Sequence, residues 1–298
     1  MRIATSTISS TIINQIDKLS TQQSTLQGEV STGQRITNPS DDPSGVNTAL
    51  TITDQLSSLN QYGQNASQAL NVAQASSTGL TSLKAVSDRA GELETLGTGT
   101  LGTSAMQSYG TEANQLIEEA VQTANTNFNG SYIYGGTATD TPPFTVTRDP
   151  SGNVTGVAYA GNSSQAAIPL SQATSVTPTT DATTNQGIAN FINGLVALRD
   201  GLNNGDTTAV SASNAGLATG ENTLVTAIAT NGGVQSRIQA AQTEQTSQTT
   251  NLQTDLASDV DANLPTTVTQ LDQAQTAYQA ALQSAVSTMQ LSILNYIH

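Results

Sequence analysis

Apolar residues recur at alternating steps of three and four at both ends of this chain, and no other feature limits its fold as strongly. Near the N-terminus Ile12, Ile16, Leu19, Leu26 and Val30 fall at steps of 4, 3, 7 and 4. The seven-residue step passes over Gln23, a polar residue at a seam position. Near the C-terminus Val268, Leu271, Gln275, Tyr278, Leu282, Ala285 and Met289 continue the alternation. Leu294 lies in the closing run LSILNYI, which is apolar on more than one face. This is the 3.5-residue period of a coiled coil, in which a narrow stripe of each helix seeks a partner. Either a helix of the same chain or helices of other chains can cover such a stripe, and periodicity leaves both open. Pro265 is tolerated only in a first turn, so the last helix is expected to start near Leu264.

Composition points the same way. Hydrophobic residues make up 36% of the 298 positions, aromatics 3%, and Trp is absent. A chain this poor in large apolar groups fills helix seams and small cores more readily than one large globular core. Its net charge is −14 and its only lysines are Lys18 and Lys84, so no basic patch is available for phosphates. Nucleic acid and anionic membrane surfaces are therefore not expected partners. No apolar run approaches the ~20 residues of a membrane-spanning helix. The opening MRIATSTISS lacks the apolar region of a cleaved secretory signal.

The same inventory argues against catalysis. Cys is absent, which removes disulfides, thiolate zinc sites and Cys nucleophiles together. The one His is His298, so no Ser/His/Asp, Cys/His or zinc constellation can be built within the chain. Gly135 and Gly136 are not followed by the Lys of a phosphate loop, and Asp255, Asp259 and Asp261 do not follow the spacing of a calcium loop. No catalytic, cofactor-binding or metal-ligating residue is assigned, no cofactor is expected, and the chain is not expected to be an enzyme.

Between the terminal seams the pattern stays helical, with one interruption. Ile52, Leu56, Leu59, Ala66, Leu70, Ala73, Leu80 and Leu83 form a long Ala-rich stripe. Met106, Tyr109, Ala113, Leu116, Ala120 and Ala124 form a second, after a connection marked by Gly97, Gly99 and Gly102. Helical spacing returns at Ile188, Ile192, Leu195 and Leu202 and continues to Leu256. In the middle, Phe144 to Arg148 and Val154 to Tyr159 alternate as two strands around the turn residues Asp149, Pro150, Ser151, Gly152 and Asn153. Residues 131–186 thus read as a small inserted β domain, entered through Gly135, Gly136, Pro142 and Pro143. The predicted fold is mainly α, a long antiparallel helical coiled-coil rod formed by both chain ends. Residues 1–40 and 262–298 form the terminal coiled-coil helices, and residues 41–130 and 187–261 form the rod domain.

The stretch STGQRITNPSDDPSG, residues 31–45, joins two of these helices. Gly33 can take the left-handed conformation that ends a helix, and Pro39 cannot continue one. Ser40 or Asp41 can cap the next helix, Pro43 suits its first turn, and the acids Asp41 and Asp42 favour its positive end. With Arg35, the segment reads as a stop, a short extended spoke and a start.

That stretch resembles the spoke of the bacterial flagellin family. Its NPSDDP form is closer to the hook-associated proteins of the hook–filament junction type than to flagellin. ANTNFNGSYIYGG at 124–136 and DTPPF at 140–144 resemble the passage from helices into an outer β domain in that branch. LDQAQTAYQAALQSAVSTMQLSILNYI resembles the family's C-terminal helix. The resemblance covers roughly residues 1–145 and 230–297.

It implies a self-assembling structural subunit of the flagellum, outside the cell, with its terminal helices in an inner coiled-coil layer. The implied partners are copies of itself in a ring at the junction, flagellin, the neighbouring hook-side junction protein and a cytosolic export chaperone that guards the C-terminal part. Export proceeds without a cleaved signal. An early Pro in the last helix and a short, Thr-rich outer domain depart from the family pattern. Because an isolated helix of this length is marginal, the seams are expected to be largely disordered in a monomer and to fold when covered. Flagellin itself, or an extracellular binding module built on residues 131–186, are the competing readings.

Overall fold

The computed structural model describes the backbone of residues 2–100 and 102–297, and the side chains of residues 10–100 and 102–289. Six helices and six short strands lie among the described residues. The helices are α1 (Arg2–Thr32), α2 (Pro43–Gly97), α3 (Thr103–Ala124), α4 (Ala182–Asn204), α5 (Thr207–Val260) and α6 (Leu264–Ile297). Between α3 and α4 lie β1 (Asn127–Phe128), β2 (Ser131–Tyr132), β3 (Phe144–Arg148), β4 (Val154–Tyr159), β5 (Ile168–Pro169) and β6 (Ser175–Val176). The strands form three two-stranded antiparallel pairs, β1–β2, β3–β4 and β5–β6. No helix among the described residues is long and apolar enough to cross a membrane. The mainly helical fold with a small inserted β region is the one the periodicities predict.

The chain divides into two compact units. One comprises residues up to Ser58 and from Gln248 onward, and the other runs from Leu59 to Ser247.

In the 59–247 unit, apolar positions of four helices close into a dry core. Leu80, Leu83 and Leu93 of α2, Ala113, Ile117 and Ala120 of α3, Ile188, Phe191, Ile192 and Leu195 of α4, and Val210 and Leu224 of α5 are all fully buried. Small residues permit this packing in a chain with few large ones. A Cβ on Gly220 would stand 2.6 Å from Cβ of Phe191, and one on Gly97 would stand 2.6 Å from Cδ2 of Leu202. Packing at this separation recovers the dispersion contacts that a sparser core would lose. A smaller cluster joins Ala66, Ala69 and Ala73 of α2, Leu170 and Val176 of the β5–β6 turn, and Ile238 of α5.

The β3–β4 hairpin has the strand bounds its alternation predicts, with a bulge between Thr147 and Arg148. Its turn is built locally. The Asn153 N–H donates to Asp149 Oδ1 (2.8 Å), and Gly152 supplies a φ of 89°. The rings of Phe144 and Tyr159 pack at a tilt of 54°, their centroids 5.5 Å apart.

Carboxamides then fasten the β region to the helices through its main chain. Asn125 accepts from the Phe144 N–H and donates to the Phe144 carbonyl, both at 3.0 Å. Asn193 does the same for Val157, at 2.8 and 2.9 Å. Asn185 donates to the Tyr134 carbonyl (2.8 Å) and Gln245 to that of Leu170 (2.6 Å). Tyr134, fully buried, donates its hydroxyl to the Ser76 carbonyl (2.9 Å) and crosses Gly79, where an added Cβ would strike the hydroxyl oxygen.

Helix α4 starts at Ala182, a turn before the periodicity signals it, because Asp181 caps it by accepting from the Thr184 N–H (2.7 Å). It ends on Gly205 at φ 65°.

In the other unit α1 packs along α6. The end of α1 meets the start of α6 in an antiparallel bridge between Gln34 and Asp261, so the two helices run in opposite directions. A same-chain helix, α6, therefore covers the N-terminal seam.

Candidate functional site

The α1–α6 pair is held by two heptad stripes. On α1 the inward positions are Ile12, Ile16, Leu19, Gln23, Leu26 and Val30, where Leu26 is buried and the others are half-buried. Gln23 therefore completes the stripe as an inward amide.

On α6 the inward positions are Thr267, Leu271, Ala274, Tyr278, Ala281, Ala285 and Thr288, at steps of 4, 3, 4, 3, 4 and 3. Thr267 and Ala274 are each 5% exposed. The inward side of α6 is thus made largely of small residues, over which α1 lays its larger Ile and Leu side chains. The bulky α6 residues of the predicted seam divide between two faces. Leu271 and Tyr278 are half-buried, whereas Val268 (41%), Leu282 (40%) and Met289 (52%) are exposed, beside Leu264 and Val286. Gln275 is exposed as well. Leu294 lies outside the residues whose side chains are described.

Thr267, Ala274 and Ala281 sit one position before Val268, Gln275 and Leu282, and they carry the same 4–3 spacing in small residues.

At the inner end of this pair, the two helix junctions of the unit lie side by side. Gly33 takes φ 72° and closes α1, its N–H donating to the Glu29 carbonyl at 2.8 Å. The spoke then runs beside the α5–α6 junction. The Arg35 N–H donates to the Val260 carbonyl (2.8 Å), and the Ala262 N–H donates to the Gly33 carbonyl (2.9 Å).

Arg35 also reaches sideways. Its Nη1 and Nη2 lie 3.3 Å from Asp42 Oδ2, and Nη2 donates to the Asp259 carbonyl at 2.7 Å. A cation thus sits at the negative end of α5 while its carboxylate partner sits at the positive end of α2.

The two acids divide their work. Asp42 is the cap of α2, its Oδ1 accepting from the Gly45 N–H at 2.9 Å. Asp41 folds back on the spoke, accepting from the N–H groups of Thr37 (3.2 Å) and Asn38 (2.8 Å). The expected cap from Ser40 or Asp41 thus falls instead to Asp42, immediately before Pro43, the first residue of α2. Pro39 and Ser40 stay exposed in the turn. Hydrogen bonds from the backbone N–H of Asn38 hold the Asp41 carboxyl below the ordinary value of 3.8. The Gly45 N–H, followed by Arg35, does the same for Asp42.

Ile36 and Gly45 join this junction without having been singled out in the sequence, and Asp259 and Asp261, weighed there only as calcium-loop acids, join it too. Ile36 is buried, and a Cβ on Gly45 would meet its Cδ1 at 2.5 Å. The one available signal was the terminal Gly of NPSDDPSG. A groove of about 260 Å³ lined by Ile36, Pro39, Val46, Leu50 and Val260 opens alongside.

Among the described residues no three His, Cys, Asp or Glu side chains gather closely enough to hold a metal ion. The arrangement can align helices and present an apolar face. It offers no nucleophile with a base beside it.

Comparison with known proteins bears on this geometry. Residues 3–139 match the family described as the bacterial flagellin N-terminal helical region. Over 146 residues the chain is 28% identical to flagellar hook-associated protein 3 of Salmonella typhimurium, a match spanning 48% of this chain and 46% of that relative. It thus spans under half the length of that curated relative.

Among solved structures, a Vibrio parahaemolyticus protein described as flagellar hook-associated superposes with a TM-score of 0.66 at 17% identity, over 74% of this chain and all of that one. FlgL of Bacillus cereus does so with a TM-score of 0.60 at 18% identity, over 70% of this chain and 99% of that one. These likenesses establish a shared fold. With the family match over both spoke and outer-domain entry, the N-terminal part of this chain is similar to the bacterial flagellin family, and by sequence to a hook-associated protein.

Proposed function

We propose that the chain is a non-catalytic structural subunit of the bacterial flagellum, self-assembling where hook meets filament and adapting one tube to the other. The observation that carries this reading is the match to hook-associated protein 3, which runs through half of the chain. The fold shared with the Vibrio and Bacillus proteins supports it. Neither a filament-subunit nor an adhesive-module reading gains comparable support.

On this reading residues 1–40 and 262–298 belong to an inner layer, residues 41–130 and 187–261 to the helices around it, and residues 131–186 face outward. The exposed apolar residues Val268, Leu282, Val286 and Met289 are the surface that neighbouring subunits cover. The partners are further copies of the chain, flagellin, the hook-side junction protein and a cytosolic chaperone that accompanies the C-terminal segment before export. The subunit leaves the cell and works in the flagellum.

The test is deletion in the bacterium that encodes the chain. Intact hooks without filaments, with flagellin shed into the medium, are the expected outcome. Normal filaments in the deletion strain would refute the assignment.

A further inference from the structure

Two helix junctions meet in the terminal unit, the spoke between α1 and α2 and the short break between α5 and α6. We propose that they form one clasp that opens and closes as a single event, with Arg35 as the positioning residue that makes it so. The proposal concerns the isolated chain and is independent of what the chain assembles with.

Two kinds of bond join the junctions. The first is the two-hydrogen-bond bridge, from Arg35 N–H to the Val260 carbonyl and from Ala262 N–H to the Gly33 carbonyl. Gln34 and Asp261 face each other inside it. A bridge of this size is too short to be stable alone, since so few bonds do not offset the ordering of two loop segments. The second is the Arg35 side chain. One guanidinium spans three pieces of chain, because its own backbone belongs to the spoke, Asp42 caps α2, and the Asp259 carbonyl belongs to the last turn of α5. Its backbone N–H is also one of the two bridge donors.

Opening the bridge at Arg35 therefore pulls the guanidinium from the end of α5. Detaching the guanidinium removes what holds the bridge in register. Asp41 and Asp42 fasten the spoke separately, by accepting from the N–H groups of Asn38 and Gly45, so the clasp moves against a preformed turn. A Lys in place of Arg35 carries one compact ammonium and cannot fork between the carboxylate and the carbonyl.

Amide hydrogen exchange on the full chain tests this. In the parent protein, the Arg35 and Ala262 amides exchange with the same opening constant. In Arg35→Gln both speed up together, on the order of fivefold, as expected of a partly exposed charge-assisted contact. Arg35→Lys falls in between. Asp42→Asn keeps the Oδ1 that caps Gly45 and removes the charge, so it accelerates the same two amides while leaving Gly45 protected.

The chain has no cysteine, which permits a clean control. A disulfide between Gln34→Cys and Asp261→Cys suits the close pairing of facing residues. Oxidised, it should abolish the effect of Arg35→Gln on both amides; reduced, it should restore it. Exchange of Arg35 accelerated without Ala262, or no acceleration of either, would overturn the proposal. Protection of Ile117 in the other unit reports whether each variant is folded.

Discussion

The 59–247 unit and the terminal unit are built from the same sparse alphabet and reach opposite ends of self-sufficiency. In the first, Leu80, Ile117, Phe191, Ile192 and Leu195 lose all contact with water, and Gly220 brings two helices close enough to achieve it. In the second, two helices share a seam that is mostly half-buried, and Leu264, Val268, Leu282, Val286 and Met289 lie exposed. Four helices surround a volume; the α1–α6 pair defines only a line of contact. A chain poor in aromatic residues can therefore close a core where helices are many, and leaves apolar surface where they are few.

The widest separation between the two regions should appear at their buried residues. Phe191→Ala is expected to cost about 3–5 kcal/mol in denaturant unfolding. Leu26→Ala, beside half-buried neighbours, should cost about 2 kcal/mol, at the lower edge for a buried Leu. Equal losses would erase the contrast.

Gln23→Leu sharpens it from the other side. Replacing the inward amide should stabilise the α1–α6 pair by about 1 kcal/mol, seen as slower amide exchange between Leu19 and Leu26.

The outward stripe should matter least to the isolated chain. Val268→Ser, Leu282→Ser and Met289→Ser together are expected to shift monomer stability by under about 0.5 kcal/mol each. On the proposed function they abolish assembly in cells, so a triple variant that still joins hook to filament would break the assignment of this face.

The smallest effect is that of pH. Asp41 and Asp42 have carboxyls lowered in the folded chain, so their contribution is intact above the ordinary 3.8 and fades as pH falls through the lower folded values. The amide resonances of Asn38 and Gly45 should titrate below that value, while that of Ile117 stays put.

Much of this was legible in the sequence because local chemistry decided it. The hairpin bounds followed from alternation around Asp149 and Gly152, the end of α1 from Gly33, and the start of α2 from Pro43. The α1 seam was legible because its inward residues are the large ones. The side of α6 that α1 covers was not, since Ala274 and Ala281 face inward there and their small size gives no signal beside Val268 and Leu282. Hydrophobicity cannot rank two adjacent stripes when the partner helix needs close approach more than apolar area. The Arg35 contacts were illegible for a different reason. Besides Asp42 they reach residue 259, and no local rule pairs positions so far apart.

The anchoring of the β region has an evolutionary corollary. Asn125, Asn193, Asn185 and Gln245 grip peptide groups, which every amino acid supplies alike. An attachment addressed to the backbone does not read the identity of the strand residues it holds. Exposed positions such as Thr145, Thr147 and Thr155 are thereby free to vary, so the surface shown to the surroundings can be rewritten while its mooring stays the same.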